Sequence, residues 1–224
     1  MGNNQEIDKI SIIGGTGALG SGLAKRWALA GYQIIIGSRN DAKADQAAAA
    51  LRKTLPSASI AGMENLAAAR AADIAVLTVP FAHQKPTLER IQPGLAGKIL
   101  VDTTVPLVPP KVARVSLPEE GSAAVRAQQI LGPTVEVVSA FQNVAADLMA
   151  TDQELACDVL VAGDNPDSRQ LVIDLAGKAN FQAWHAGALA NSAAMEALTS
   201  VLIFMNKRYS CGHAGIRITG IDGD

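Results

Sequence analysis

The feature that most constrains this chain is a glycine-rich turn directly after a short apolar strand. Residues 10–20 read ISIIGGTGALG, in which Gly15, Gly17 and Gly20 have the spacing of a dinucleotide-binding turn. In such a turn the first glycine permits a tight bend, the second lets backbone approach a pyrophosphate, and the third allows close packing of helix on strand. The sequence therefore predicts a strand–turn–helix unit that holds a dinucleotide. The alternative is a glycine turn without a ligand.

The helix after this turn is predicted to hold the pyrophosphate at its N-terminus. The dipole of a helix favours an anion at that end, and the backbone N–H groups there are free to bind it. Apolar residues then recur at helical spacing as far as Gly31, which predicts the end of the helix. The residues expected to bind the pyrophosphate are Thr16, Gly17, Ala18 and Leu19.

The end of the second predicted strand indicates which dinucleotide is bound. In this fold that strand end lies beside the adenosine ribose, where NAD-selecting enzymes carry an Asp or Glu. This chain carries Ser38 and Arg39 there, with Lys43 one helical turn after Arg39. A hydroxyl, a guanidinium and an ammonium suit a 2′-phosphate, so the sequence predicts NADP(H). The alternative is that Arg39 and Lys43 belong to an ordinary solvated first turn of a helix. Asp41 is the one residue that could favour NAD, but an acid in the first turn is also explained by the helix dipole.

Strand-like and helical segments alternate along the chain, which is typical of an α/β fold with helices on both faces of a parallel sheet. The character of the sequence changes after residue 143. We therefore predict a Rossmann-type doubly wound parallel sheet over residues 1–143 and a smaller C-terminal α/β domain over residues 144–224. Strands are predicted at 10–13, 33–37, 59–62, 74–80, 98–103, 136–141, 158–163 and 182–185, and helices at 19–30, 40–55, 64–71, 82–92, 119–130, 166–177 and 191–208.

The ligand of a doubly wound sheet lies in the crevice at the carboxyl ends of the first and fourth strands. Val79, Pro80 and Phe81 end the fourth predicted strand, and we expect them to border the nicotinamide or simply to terminate the strand. His83 follows closely, either touching the cofactor or lining a loop. The loop after the sixth strand is expected to reach the same crevice. Its candidates for contact with a second substrate, or for packing between domains, are Gln142, Asn143 and Val144.

Composition and charge narrow the classes of partner. The formal net charge of −2 gives no indication of binding to nucleic acid or to an anionic membrane. The two cysteines, Cys157 and Cys211, fit no metal-binding spacing, which predicts a reduced, cytoplasmic setting. No nucleophile elbow, paired carboxylates or metal cluster stands out, so we predict no catalytic side chain and no metal. Hydride transfer between two planar cofactors needs mainly alignment at about 3–3.5 Å.

The late helix, residues 191–208, is apolar nearly all round. A helix of this kind is buried between layers of a fold or in a subunit interface, so a homodimer through the C-terminal region is one expectation. Glu196 is the one charge within the apolar run. We interpret it as a structural residue that accepts bonds from backbone N–H groups or a hydroxyl; the alternative is a catalytic carboxylate.

Several of these segments resemble the NADPH-dependent coenzyme F420 reductases, also called F420H2:NADP oxidoreductases. The resemblance spans nearly the whole chain, and its late part is the more specific because many dehydrogenases share the glycine turn. The segments are GGTGxLG at 14–20, IGSR at 36–39 with Lys43, IxGM at 60–63, DIAVLTVP at 73–80, VSA at 138–140, NS at 191–192, ExLT at 196–199, Asn206 and GI at 215–216.

The resemblance implies hydride exchange between NADP(H) and the deazaflavin coenzyme F420, held face to face in a cleft between two domains. By position, Ala146 would close over the nicotinamide. Gln142, Val144 and Ala214 would line the face of the deazaflavin. Two other functions stay open: an NADPH-dependent reductase of an imine, a flavin or a ferric chelate, and a protein that senses NADPH without chemistry.

Overall fold

The computed structural model describes residues 7–146, 148–150 and 156–221. Within these residues eight strands form a single sheet in the order β3-β2-β1-β4-β5-β6-β7-β8. The first six strands run parallel in the doubly wound order, which confirms the predicted fold class. The strands are β1 (Lys9–Ile13), β2 (Gln33–Ser38), β3 (Ile60–Glu64), β4 (Ile74–Leu77), β5 (Ile99–Asp102), β6 (Glu136–Ser139), β7 (Asp158–Gly163) and β8 (Gln182–His185).

Seven α-helices in the described residues cover the two faces of the sheet. The predicted helices all occur, with ends displaced by at most four residues, and α1 ends two residues before Gly31, whose φ is +96°. Residues 103–122 form no helix or strand, as their prolines indicate. The helices are α1 (Ala18–Leu29), α2 (Asp41–Thr54), α3 (Asn65–Ala71), α4 (Phe81–Ile91), α5 (Ala123–Leu131), α6 (Pro166–Lys178) and α7 (Ser192–Tyr209).

Both faces of the sheet are buried because its central strands are apolar on both sides. In β1, Ile10 and Ile12 pack into one core and Ile13 into the other. This follows from the alternation of side chains along a strand, and it fixes the carboxyl end of β1 between two layers of helices. The glycine turn that comes next therefore starts from a rigid point.

The C-terminal strands extend the same sheet. β7 pairs antiparallel with β6, and β8 pairs parallel with β7. The indole of Trp27 on α1 donates to the carbonyl of Leu175 on α6 at 2.8 Å, and Phe141 stacks edge-on against Trp27 and Phe181. These contacts join the two halves of the chain, and the division at residue 143 stays a prediction.

The late helix α7 is mostly buried or half-buried as far as Leu202 and mostly exposed beyond it. Met195, Glu196 and Leu202 are buried, whereas Phe204 is 54% exposed and Tyr209 69%. The apolar strip formed by Val201, Phe204, Met205 and Tyr209 thus lies on the surface of the single chain. Among the described residues, no helix is both long enough and apolar enough to cross a bilayer.

Candidate functional site

The bend after β1 depends on two adjacent glycines, Gly14 and Gly15. Gly14 has a φ of +75°, a conformation that side chains disfavour. The Gly15 N–H donates to the carbonyls of Ile12 and Gly37 at 3.1 Å each, which closes the turn. A Cβ on Gly15 would lie 2.8 Å from the Ile12 carbonyl oxygen. The tight bend predicted for Gly15 is therefore shared with Gly14, the glycine before it.

The other two glycines of the motif differ in what surrounds them. A Cβ on Gly20 would come within 2.8 Å of the Gly15 Cα, so Gly20 permits the close packing of α1 on the turn. A Cβ on Gly17 would meet nothing nearer than an oxygen at 4.0 Å. Gly17 is also the N-cap of α1, and no side chain in the described structure caps that helix start. Open space at uncapped N–H groups fits a bound pyrophosphate.

A cavity of about 410 Å³ opens beside this turn, at the carboxyl ends of the strands. It is bounded by the turn itself, by the end of β2 with the start of α2, and by the loop from β4 into α4. The lining residues are Gly14, Thr16, Gly17, Ser38, Arg39, Asn40, Lys43, Asn65, Thr78, Val79, Pro80, His83 and Thr87.

The charge of this cavity is positive at the end of β2. Arg39 and Lys43 line it, and no carboxylate is among the described lining residues. Asn40 caps α2 by accepting from the Lys43 N–H at 3.1 Å, which sets the start of the helix and brings both cations to one place. The hydroxyl of Ser38 lies beside them and accepts from the Asn40 N–H at 3.4 Å. Asp41, the acid that would favour NAD, does not line the cavity.

The predicted cofactor residues fall into three groups. Those that line the cavity are Thr16, Gly17, Ser38, Arg39, Lys43, Val79 and Pro80. The second group shapes or follows the turn and comprises Gly15, Gly20, Ala18 and Leu19, of which the last two begin α1. The third group, Phe81 and Ala146, does not line this cavity. Both are partly buried, and the roles predicted for them stay predictions.

The strand β4 is shorter than predicted. It ends at Leu77, so Thr78, Val79 and Pro80 form a loop and Phe81 is the first residue of α4. Pro80 lacks an N–H for a strand ladder and occupies the N-cap position of α4, so the strand does not continue to residue 80. Val79 and Pro80 nevertheless reach the cavity, because the loop leaves the sheet at its carboxyl edge.

Sequence reasoning missed Asn65, a buried residue at the centre of the site. Its side-chain oxygen accepts from the Gly14 N–H at 3.4 Å, and a Cβ on Gly37 would lie 2.8 Å from that oxygen. Asn65 follows β3 directly, so its place at the carboxyl edge was the available signal. It was missed because β3 was predicted to end at Gly62 and in fact continues to Glu64.

The loop after β6 is held by hydrogen bonds to its surroundings. The Gln142 amide donates to the Asp102 carbonyl at 2.8 Å and to the Ser139 hydroxyl at 2.9 Å. The Asn143 amide donates to the Met195 carbonyl on α7 at 2.8 Å. Phe141, buried and with a φ of +71°, makes the bend that directs this loop towards α7. A bulky residue in that conformation is costly and often marks a functional site.

Helix α7 ties together the segments predicted to face a second substrate. Its Thr199 hydroxyl donates to the Gln142 carbonyl at 3.0 Å, and its Asn206 side chain accepts from the Ala214 N–H at 2.7 Å. Thr199 and Asn206 are seven residues apart, which is about two turns or roughly 10 Å along one helix face. Val144, two residues after Gln142, is partly buried and packs against the hydrophobic core.

A buried polar network lies beneath the loop that leads into α4. The Gln84 amide donates to the Asp102 carboxyl at 2.5 Å, and its oxygen accepts from the Arg126 guanidinium at 2.6 and 2.9 Å. Burial raises the pKa of the Asp102 carboxyl above its ordinary value, and hydrogen bonds from Thr104 and Gln84 oppose that rise. The guanidinium of Arg126 lies 4.0 Å from the centre of the Phe81 ring.

Glu196 has the structural role expected of it. Its carboxyl accepts from the N–H groups of Ala123 and Ala124 at 2.6 and 3.1 Å, so α7 caps the N-terminus of α5. Burial raises the pKa of Glu196 to about 8, although the two backbone hydrogen bonds lower it in part.

Two further observations bear on ligands. Within the described residues, no group of three or more His, Cys, Asp or Glu could hold a metal ion. A cavity of about 920 Å³ lies where β6 begins, at the opposite edge of the sheet from the glycine turn. Its described lining contains Glu136 and Asp164 but no cationic side chain, so it does not suit the phosphates of a dinucleotide.

Comparison with known proteins agrees with this geometry. Residues 9–106 match the family model described as NADP oxidoreductase coenzyme F420-dependent. The chain is 40% identical to the F420-dependent NADP reductase of Methanocaldococcus jannaschii, over 96% of this chain and 99% of that protein. It is 39% identical to the enzyme of the same name from Methanothermobacter thermautotrophicus, over 96% of both chains.

A solved structure supports the fold. The crystal structure of a hypothetical protein from Sinorhizobium meliloti superposes with a TM-score of 0.68 at 23% identity, covering 85% of this chain and 90% of that one. The extent and level of identity to the two archaeal reductases go well beyond a shared fold. The chain therefore belongs to the family of coenzyme F420-dependent NADP oxidoreductases.

Proposed function

We propose that this protein transfers a hydride between NADP(H) and the deazaflavin coenzyme F420. Binding of NADP(H) is supported by the cavity beside the glycine turn. In this cavity an uncapped helix start and two cations, Arg39 and Lys43, lie at the ends of neighbouring strands. The two archaeal relatives, named F420-dependent NADP reductases, supply the deazaflavin half.

The proposed arrangement of NADP(H) follows the cavity from one end to the other. The 2′-phosphate binds Ser38, Arg39 and Lys43, since charge-assisted bonds from a guanidinium are strong and directional. The pyrophosphate lies over Gly17, where its oxygens face the first N–H groups of α1. The nicotinamide lies towards the loop between β4 and α4. We assign to it the border residues Val79, Pro80, Phe81 and Ala146.

The deazaflavin is proposed to lie against the loop after β6 and the segment after α7. Both are bound to one face of α7, through Thr199 and Asn206, and this supports a common surface for Gln142, Val144 and Ala214. In the reaction a C–H bond of the dihydronicotinamide breaks and a C–H bond of the deazaflavin forms. NADP⁺ and the reduced deazaflavin result, with one proton taken from solvent.

The test is a turnover assay with oxidised F420 and NADPH. Loss of the visible absorption of the deazaflavin, at equal rate with loss of NADPH, is the expected result. A Gly17→Val variant serves as the control, because it blocks the nucleotide site at a position where the fold has room. Turnover with an imine, a flavin or a ferric chelate in place of F420 would refute the deazaflavin assignment. Binding of NADPH without turnover of any acceptor would identify a sensor.

We further propose that the protein is a cytoplasmic homodimer paired through α7, with the chain divided at residue 143. The exposed apolar strip on α7 supports the pairing, because a patch of this kind on one chain is typically covered by another. Phe204→Asp is expected to convert a dimer into a monomer in light scattering, whereas Lys85→Asp, at an exposed position on α4, leaves the dimer intact. A monomeric wild-type protein would contradict the pairing.

A further inference from the structure

We infer that Arg126 is a positioning residue that holds Phe81 in place against the nicotinamide. The inference rests on the proposed function, because it takes Phe81 as a border of the nicotinamide site. It adds a residue on α5, 45 positions along the chain from Phe81, which is not among the described residues that line the cavity.

Arg126 contacts Phe81 in two ways. Its guanidinium lies over the ring, 4.0 Å from the centroid, and one of its nitrogens, Nη2, lies 3.4 Å from the Phe81 carbonyl oxygen. A planar guanidinium at this distance is attracted by the electrons of the ring face. Side chain and backbone of Phe81 are thus held by the same group, at the first residue of α4.

The guanidinium is itself held by a chain of buried groups. Both Nε and Nη2 donate to the Gln84 side-chain oxygen, at 2.9 and 2.6 Å. Gln84 is fully buried, and its amide nitrogen donates to the Asp102 carboxyl and to the Ala123 carbonyl. With both ends of the amide engaged, neither Gln84 nor the guanidinium can rotate without leaving a buried polar group unpaired, which is costly.

The helix that carries Arg126 is fixed at its start. Glu196 accepts from two N–H groups of the first turn of α5, and the Ser122 hydroxyl accepts from the Val125 N–H at 3.0 Å. Arg126 follows directly after these three anchored residues in the same helix. Asp102 ends β5 and Gln84 lies on α4, so the network joins three elements at the carboxyl edge of the sheet.

The contact between Arg126 and Phe81 is expected to affect the rate of hydride transfer through the placement of the nicotinamide. Direct transfer requires the two rings to approach at about 3–3.5 Å, and small misplacements lower the rate steeply. Phe81 is partly exposed, and the guanidinium of Arg126 covers one face of its ring. Without the guanidinium the ring can rotate, and we expect the nicotinamide to occupy less productive positions with little loss of nucleotide affinity.

The experiment compares Arg126→Met, Arg126→Lys and Phe81→Leu with the double variant Phe81→Leu/Arg126→Met. For Arg126→Met we expect a roughly three- to tenfold lower kcat per NADPH-binding site, with the Kd of NADPH changed less than about twofold. The kinetic isotope effect with NADPH deuterated at both C4 positions should rise as the chemical step slows. Arg126→Lys, which keeps the charge but not the plane, should restore only part of the rate.

Comparison of the double variant with the two single variants distinguishes a positioning role of Arg126 from a general effect on the stability of the fold. Because Arg126 acts through Phe81, adding Arg126→Met to Phe81→Leu should change kcat little further. Arg52→Met is the matched control, since Arg52 also binds a backbone carbonyl but does so at the start of β3, at the opposite sheet edge. A lower melting temperature with unchanged kcat and isotope effect, or fully additive effects in the double variant, would overturn the inference.

The fluorescence of bound NADPH keeps this inference distinct from the proposed function. That emission depends on the surroundings of the nicotinamide and needs no acceptor. A wild-type protein without F420 turnover refutes the proposed function, while a changed emission in Arg126→Met still supports the positioning role. Identical emission and identical rates in wild type and variant refute the positioning role alone.

Discussion

Replacing both cations at the end of β2 should remove the preference for NADPH over NADH. Arg39 and Lys43 line the cavity with the Ser38 hydroxyl, and the described lining contains no carboxylate to oppose them. The change is Arg39→Ala together with Lys43→Ala. NADH lacks the phosphate that these side chains are proposed to bind, so only NADPH should lose affinity.

The expected loss of NADPH affinity can be calculated from the exposure of the Arg39 and Lys43 side chains. Both are exposed, so each contact with a phosphate is worth less than a buried charged hydrogen bond and more than a simple surface ion pair, or about 1–1.5 kcal/mol. Together they contribute about 2–3 kcal/mol. Since 1.36 kcal/mol corresponds to a factor of ten, the Kd of NADPH should rise roughly 30- to 150-fold. The Kd of NADH should change less than about twofold.

Calorimetric titration of each nucleotide measures both constants, and α2 provides a matched control. Arg52→Ala with Lys53→Ala removes the same charge from the last turn of the same helix. Lys53 lies ten residues beyond Lys43, about 15 Å along the helix, which exceeds the screening length of about 8 Å at physiological salt. Equal weakening of NADPH and NADH by the Arg39/Lys43 change, or equal loss in the control, would refute the phosphate assignment.

Three other perturbations test the site and its support. Gly17→Val should abolish binding of both NADPH and NADH in titrations while the melting temperature stays near wild type, because the space at Gly17 is open in the fold. Gly20→Ala should instead lower the free energy of unfolding by about 1–3 kcal/mol in denaturant titration, since its Cβ would lie 2.8 Å from backbone. Glu196 has a folded-state pKa raised from 4.5 to about 8, so the folded protein binds more protons than the unfolded chain between these values. Its contribution to stability is therefore present below pH 4.5 and lost as the pH rises to about 8, by up to about 1.4 kcal/mol per pH unit. Glu196→Gln should flatten this slope in unfolding measured across pH, and an unchanged slope would contradict the assignment.

The glycine turn and the placement of Arg39 and Lys43 beside it were predictable because their signals are local. A glycine turn between an apolar strand and a helix specifies its own geometry within about ten residues, and the Arg39 and Lys43 pair lies on one helix turn. The same holds for the C-terminal elements, since β7 and β8 begin and end where their apolar patterns predict. These inferences needed no knowledge of which segments lie side by side.

Contacts between distant segments were beyond prediction from the sequence. Asn65 reaches Gly14 across 51 positions, and Glu196 caps α5 from 72 and 73 positions away. Nothing in the residues around Arg126 predicts that its guanidinium lies over Phe81. Strand order and helix packing determine such pairs. A polar side chain could form hydrogen bonds with many groups of the chain, and only the folded backbone determines which of them lies beside it.

The sequence by itself determined the α/β class and the glycine turn, and it predicted NADP(H), because backbone conformation and the charge of adjacent side chains act over a few neighbouring residues. Only the tertiary structure decided where β4 ends, which residues complete the cavity, and how α5 supports the start of α4 and α7 the loop after β6. Those features depend on the burial of polar groups between elements, and the free energy of that burial is defined only once the chain has folded.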